Sequence, residues 1–396
     1  MRDRGMLVHL RRVFLPYIRS ADARSPMKTT QLYQYHHVHA KLTEFAGYEM
    51  PLWYTTTSEE HMAVRNRSGV FDVSHMGRFA VKGPAAGGFL EGLVPTQVQS
   101  QPAGKAFYTL LLNDKAGIID DLIITKLAEG DYLVVVNAAN AEGDMAHLRS
   151  HAPSTGVQIE DLTATTAMIA VQGPHAAAVL QPLTQLNLGQ LKRFRCGATE
   201  VLRQPSVVSR TGYTGEDGFE VIIRGATNET PQGALAIWEK LVASSAPCGL
   251  SARDSLRLEA GFPLHGSDID QETNPFQADL AWVVSADKRG YVGYDAISAA
   301  RQAPPDLVRK GAVLDRGIPR HGFDVLDAGS ERIGTVTSGS FSPILKKGIA
   351  LCRVKTGSSE PGNQVKVRVR TSLEGGFLVK PPFYDEATYG WKRAAT

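Results

Sequence analysis

The chain has 396 residues, a formal net charge of +3, 43% hydrophobic residues and 21% charged residues. That balance excludes collagen-like, low-complexity and wholly disordered chains, and no apolar run reaches the roughly 18 residues of a membrane span. Cys196, Cys248 and Cys352 are widely spaced and odd in number, so neither a disulfide framework nor a paired-cysteine zinc site is expected.

Residues 1–28 carry six arginines and Lys28 against Asp3 and Asp22, a net of +5 that leaves −2 for the remainder. The basic balance therefore belongs to the leader and is no argument for nucleic acid or an anionic surface. Its arginines alternate with Leu7, Leu10, Val13, Phe14, Leu15, Tyr17 and Ile18. Such an acid-poor amphipathic stretch predicts a mitochondrial presequence and a matrix location. In that setting the glycosylation patterns at Asn66 and Asn228 read as chance matches.

Beyond the leader, His36, His37 and His39 lie in a helix-like stretch with no carboxylate or cysteine at ligand spacing. They read as one partly exposed helix face, and no metal is expected. Strands are predicted at 70–73, 118–125 and 132–136, and helices at 234–245 and 251–260. VKGPAAGGFLEGL (81–93) and VQGPHAAAVLQPL (171–183) share Val, Gly-Pro, one Ala and two Leu in register. Each predicts a strand end, a Gly-Pro start and a helix, since proline costs nothing in a first helical turn. Pro304-Pro305 breaks the chain, and short strands with glycine turns follow. The expected organisation is α+β: an N-terminal domain over 29–160, a second over 161–300, and a barrel-like β domain over 306–396. Mixed elements followed by β alone argue against a doubly wound nucleotide fold, and no phosphate-binding glycine loop is present.

Four stretches can carry chemistry. In Gly117-Ile-Ile-Asp120-Asp121-Leu-Ile-Ile124, a strand would place Asp121 with Ile119 and Ile123, and Asp120 with Ile118 and Leu122. Both faces are otherwise apolar, so at least one carboxylate needs a donor or a cationic ligand; an exposed turn after Asn113 is the alternative. In Val134-Val-Val-Asn137-Ala-Ala-Asn140, Asn137 suits an amide at a strand end and Asn140 suits a helix cap. Arg210-Thr-Gly-Tyr213-Thr-Gly-Glu216-Asp-Gly-Phe-Glu220 is a tight loop ahead of an apolar strand. Glu220 there can accept parallel N–H bonds from an amidine-like ring edge, or sit in an acidic turn. In Gly249-Leu-Ser251-Ala-Arg253-Asp254, Ser251 with Asp254 reads as a cap and Gly261 as a stop. Arg253 then sits where only an anion would reward a cation, and Arg257 reads equally as a surface partner of Asp254.

Together with FAGYEMPLWY (45–54), FDVSHMGRF (71–79), GKAFY (104–108), TNPFQADLAWVV (273–284) and IGTVTSGSFSPILKKGIAL (333–351), these stretches run in an order that resembles the glycine cleavage T-protein family. The resemblance spans about residue 30 to the C-terminal region. It implies a three-domain cloverleaf around a central folate site. It also implies transfer of an aminomethyl carbon from the lipoyl arm of H-protein to tetrahydrofolate, with release of ammonia. Its catalytic aspartate falls on Asp121, which the residues alone do not separate from Asp120. Its folate-lining positions fall on Met76, Tyr108, Val135, Asn137, Tyr213, Glu220, Arg253 and Trp282, with Tyr389 the weakest match. Departures are Phe262 and Phe341, where some relatives have Tyr and Pro, and the tail Pro382–Tyr389.

Three other readings are weighed against this. The sarcosine and dimethylglycine dehydrogenases share such a half but add a flavin domain with G-x-G-x-x-G, absent here. Folate-binding iron–sulfur maturation factors carry a K-G-C-x-x-G-Q-E-like signature where this chain has Arg289-Gly-Tyr-Val-Gly-Tyr-Asp-Ala, without cysteine. A degenerate binding protein would not be expected to retain Asp121, Asn137, Glu220 and Arg253 together.

Overall fold

The computed structural model describes residues 27–393, so the presequence expectation falls almost wholly outside the described residues. Besides a two-stranded hairpin, Lys41–Phe45 with Tyr48–Trp53, three larger β systems organise the described residues. The first is an antiparallel five-stranded sheet in the order 105–112, 118–128, 131–136, 77–82 and 158–161. The second is a six-stranded sheet in the order 196–201, 204–209, 218–224, 166–172, 69–72 and 246–248. It is antiparallel except for its last pair. The third is a closed antiparallel six-stranded barrel built from residues 307–379. The fold is therefore α+β with a C-terminal β-barrel. Sheet membership does not follow chain order, because Gly69–Asp72 pairs with Thr166–Gln172.

The internal repeat is structural. Gly77–Lys82 and Thr166–Gln172 are each followed by Gly-Pro and a helix, Ala86–Leu93 and Ala176–Leu180, with the proline just ahead of the N-cap rather than in the first turn. Gly83 and Gly173 share a φ of 123°, a region open to glycine and closed to a Cβ-bearing residue. The second helix is shorter because Pro182 cannot continue it, and the chain tightens to a 3₁₀ turn at Gln181–Leu183. Each helix buries its apolar stripe on its own sheet. Leu90 and Leu93 join Phe79, Val81 and Val134, while Leu180 joins Val171, Phe219 and Val221.

The inner faces of the two sheets meet through Val73, Leu133, Val135, Met168, Ala170 and Ile222, sealed by Ala252 and Leu256. Those last two lie on Leu250–Ala260, a helix buried nearly all round, whose Leu258 also packs on Ile349 and Leu351 of the barrel. The helix starts one residue before the expected Ser251 cap. Gly249 is its N-cap, and a Cβ there would sit 2.4 Å from the Leu52 backbone, so only glycine fits. Ser251 lies inside the helix with its hydroxyl unpartnered, and Asp254 faces Arg257. Gly261 ends the helix in the left-handed conformation, as expected.

Other expectations need correction. Arg257 does pair with Asp254 at 2.8 Å, but it is 2% exposed and also binds Asp268 and Ser338, so it is a core residue. His36 leaves the exposed histidine face: it is fully buried, with Nε2 2.9 Å from Asp72 and Nδ1 2.7 Å from Tyr54 Oη. Burial opposes the Asp72 charge, yet His36, Ser74 and Thr30 hold its carboxyl down to about 2. Asn140 stands at the N-cap of Ala141–His151 without capping it, because its amide turns to Asp120.

Candidate functional site

A cavity of about 620 Å³ opens between the two sheets, the helix Leu250–Ala260 and the barrel. Strand Ile118–Ala128 builds its floor. Burial alternates along it, with Ile118, Asp120 and Leu122 buried and Ile119, Asp121 and Ile123 half-buried. Asp120 pairs with Leu111 and Ile118 with Leu112, so Ile119 is an extra residue in the ladder. Such a bulge re-aims the side chains beside it. Asp120 points away from the cavity and Asp121 points into it. Of the two acids, the pleat turns only Asp121 to the cavity.

Asp121 is held from both sides. Tyr108 Oη donates to Oδ2 at 3.0 Å and Asn137 Nδ2 donates to Oδ1 at 2.9 Å. Burial and the nearby Asp120 charge push its carboxyl up to about 6, against Tyr108, Asn137 and His265, which pull it down. Burial also raises the Tyr108 phenol well above its ordinary range, so this hydroxyl stays a donor. Tyr108 stacks on Trp282 with centroids 5.6 Å apart and rings inclined by 24°. Trp282 is 70% exposed, which makes it the rim of the opening.

The opposite wall comes from the second sheet. Glu220 faces the cavity from Gly218–Arg224, where Thr211 Oγ1 donates to it. Burial pushes Glu220 up, against the Thr211 bond and the Arg253 charge. Arg253 lies with its guanidinium 4.8 Å from the Tyr213 ring centroid. Among the described residues no carboxylate forms an ion pair with it. Tyr213 is fixed by donating its hydroxyl to Pro263 O and by stacking on Phe262 at 5.8 Å. Met76, Val135, Met168 and Ile222 complete an apolar lining.

Met76, Tyr108, Asp121, Val135, Asn137, Tyr213, Glu220, Arg253 and Trp282 thus line one cavity. Tyr389 does not; its ring packs edge-on against Tyr384 at 6.5 Å, beneath the Arg393 guanidinium. The sequence reading missed Thr211, which lay inside a motif already quoted. It also missed Arg193, whose stretch has no periodic signal. Arg193 lies over the rings of Phe194 and Trp391 at 5.5 and 4.1 Å, with one guanidinium nitrogen, Nη1, buried and unpartnered. Arg309 also lines the cavity but is committed to the Ala278 and Gly261 carbonyls, which tie the barrel to the helix end.

Two α+β sheets and an antiparallel barrel close on one cavity with a carboxylate on each α+β wall, a binding site suited to a flat ring with N–H donors on its edge. Comparison with known proteins narrows this. The family model of the GCVT N-terminal domain matches residues 32–288, and that of the glycine cleavage T-protein C-terminal barrel domain matches residues 309–385. The chain is 45% identical over 346 residues to an aminomethyltransferase of Thermus thermophilus, covering 87% of this chain and 96% of that one. It is 41% identical over 370 residues to an aminomethyltransferase of Geobacillus thermodenitrificans, covering 91% and 99%. The crystal structure of glycine cleavage system aminomethyltransferase T from Bartonella henselae superposes with a TM-score of 0.85 at 36% identity, over 92% of this chain and 100% of that one. The chain belongs to the glycine cleavage T-protein family of aminomethyltransferases.

Proposed function

We propose that this enzyme moves the aminomethyl carbon from the lipoyl arm of H-protein to tetrahydrofolate, with release of ammonia and formation of 5,10-methylenetetrahydrofolate. The observation that carries the reading is the convergence of Asp121, Glu220 and Arg253 on one apolar-lined cavity. The residues fit a folate. Glu220 spends one oxygen on Thr211 and keeps acceptor capacity for a 2-amino and N3–H edge. Arg253 has its cation free for an anionic group of the bound molecule. Tyr108, Trp282 and Tyr213 offer ring faces. Tetrahydrofolate supplies the nucleophilic ring nitrogen that takes the carbon. Positive charge develops near that nitrogen, and the Asp121 carboxylate, which points into the apolar-lined cavity, would stabilise it. At about 4 Å and an effective dielectric near 20, one such pair is worth up to about 4 kcal/mol.

The test is ammonia release from an aminomethylated lipoyl carrier with and without tetrahydrofolate. Strong folate-dependent release is expected. Binding of tetrahydrofolate with no release would instead support a folate-binding relative acting on another one-carbon substrate or serving iron–sulfur maturation. Glu220→Gln should raise KM for tetrahydrofolate by about 10- to 100-fold, because a charge-assisted pair of N–H acceptors is lost. Turnover at saturation should fall much less, which initial-rate kinetics would separate.

Residues 1–28 are proposed to direct the chain to the mitochondrial matrix, where lipoylated H-protein would meet it. Their arginine-rich, acid-poor pattern supports this. Lys28 is bonded into the fold: its N–H donates to Gly47 O and its carbonyl accepts from Glu49 N–H. Import into isolated organelles, followed by N-terminal sequencing, should find cleavage ahead of Lys28. A chain left outside and uncut would sink the idea.

A further inference from the structure

Behind Asp121 lies a carboxyl group that the reaction does not account for. Asp144 sits in the first turn of Ala141–His151, with its side chain fully buried. A carboxylate in a first turn ordinarily accepts backbone N–H groups. Here neither Oδ1 nor Oδ2 receives a donor. The acid that acts on it most strongly is Asp120, also fully buried. Two neighbouring buried carboxyls, one of them with no donor at either oxygen, do not both stay charged; one carries a hydrogen.

The donors decide which one. Asp120 accepts three N–H groups: Asn137 N at 2.9 Å, Asn137 Nδ2 at 2.8 Å and Asn140 Nδ2 at 2.6 Å. These stabilise charge on Asp120, whereas Asp144 has nothing to stabilise its own. Asp121 also acts on Asp144, with Tyr108 bonded to Asp121 and His265 bonded to Asn140. His265 takes Asn140 Nδ2 at Nδ1 and places Nε2 3.1 Å from Ile118 O. Among the described residues, no lysine or arginine pairs with Asp120, Asp121 or Asp144.

We propose that Asp144 is a positioning residue that stays protonated at neutral pH and donates its hydrogen to Asp120, so that Asp144, Asp120 and Asn137 form the support that aims Asp121. Asn137 is the joint, since its Nδ2 reaches both Asp120 Oδ1 and Asp121 Oδ1. Burial and the charges of Asp120 and Asp121 push the Asp144 carboxyl far above the ordinary carboxylate range, in agreement with this assignment. The positioning role rests on the catalytic reading of Asp121; the protonation of Asp144 does not.

Three variants separate these claims. Above about pH 4 an unfolded Asp144 releases its proton, while the folded chain keeps it. Wild type should therefore lose folded-to-unfolded ratio relative to Asp144→Asn by about tenfold per pH unit between about pH 5 and pH 8. Parallel curves would show that Asp144 is ionised in the fold and overturn the proposal. Asp144→Asn keeps an N–H for Asp120 and should stay within about threefold of wild-type kcat. Asp144→Leu has similar bulk and no donor, and should lower kcat by at least about tenfold with a smaller change in KM for tetrahydrofolate. Equal turnover of the Leu and Asn variants would remove the positioning role. Should the Leu variant not fold, Asp144→Ala, which also lacks a donor, takes its place in that comparison. If Asp121→Asn retains turnover while the stability curves diverge as described, the catalytic reading fails and the proton assignment stands.

Discussion

Asp121→Asn is expected to lower kcat by at least about a hundredfold while changing tetrahydrofolate affinity by less than about threefold. The substitution keeps size and local bonding. The new Oδ1 can accept from Asn137 Nδ2, and the new amide can donate to Tyr108 Oη, which also accepts. Only the charge goes. If that charge contributes up to about 4 kcal/mol in the transition state, the loss converts to between two and three decades. Tetrahydrofolate is held by other residues, so equilibrium binding should survive. In wild type, kcat should fall as pH drops through about 6, where the raised Asp121 carboxyl takes up its proton. The Asn variant should lack that limb. Near-wild-type turnover in the variant would take Asp121 out of the mechanism.

The same shift makes Asp121 a stability cost. Below about pH 4 the group is neutral in both folded and unfolded chains. Between there and about 6 the folded chain keeps a proton that the unfolded chain releases, so stability contributed by the neutral acid is lost as pH rises. Above that the loss is complete. Asp121→Asn should therefore be more stable than wild type at pH 8, by on the order of 1–2 kcal/mol after allowing for water in the cavity. Denaturant titration reads this directly. A less active and more stable variant is the signature of a charge kept for chemistry rather than for folding.

How much of this was legible in the sequence depends on the range over which each residue acts. The alternation around Asp120 and Asp121 is a local property of a pleated strand, and it placed them on opposite faces correctly. The glycine-proline repeat also survived, because proline's restricted φ and glycine's positive φ act within a few residues. Gly261 stopped its helix for the same local reason. What failed was set by distant partners. Arg257 looked exposed because helical spacing showed Asp254 but not Asp268 or the barrel hydroxyl of Ser338. Ser251 looked like a cap because nothing local revealed that Leu52 leaves room only for Gly249. Asp144 carried no signal in the sequence, and only the fold lets Asp120 act on it. Tyr389 lies in a tail with no period, so nothing local fixed which aromatic reaches what. Recognition of the family supplied the site set where local physics could not, and the cavity gathered all of that set but this one tyrosine.

Arg65→Met is expected to produce the largest stability loss, about 3–5 kcal/mol, because it strips donors from two buried carboxylates at once. Arg65 is fully buried on the helix Thr57–Asn66. Its Nε and Nη2 bind Glu259 Oε2 at 3.1 and 3.0 Å, and Nη1 binds Glu216 Oε1 at 3.0 Å. It also donates to the carbonyls of Thr214 and Leu256 and lies 4.6 Å from the Tyr384 ring centroid. The acids spread the tie further. Glu259 accepts from Ser342 of the barrel, while Glu216 accepts from Gly390 N and Arg393 of the tail. One guanidinium thus joins two helices, the loop after Arg210, the barrel and the C-terminal segment. Methionine fills much of the volume but leaves the carboxylates to find water or protons. Burial pushes Glu259 up, yet His61, Arg65 and Ser342 together hold it below its ordinary value. Its stabilising share is therefore present above the unfolded glutamate value and lost as pH falls through the lower folded one. Without Arg65 that pull weakens and the acid protonates more readily. The deficit of the variant against wild type should then shrink between about pH 8 and pH 5. Adding Glu259→Gln and Glu216→Gln to Arg65→Met should recover part of the loss, since the cost lies in uncompensated charge rather than missing contacts. A deficit that ignored pH and did not respond to the paired changes would mean that packing around Tyr384, not charge, is what Arg65 supplies.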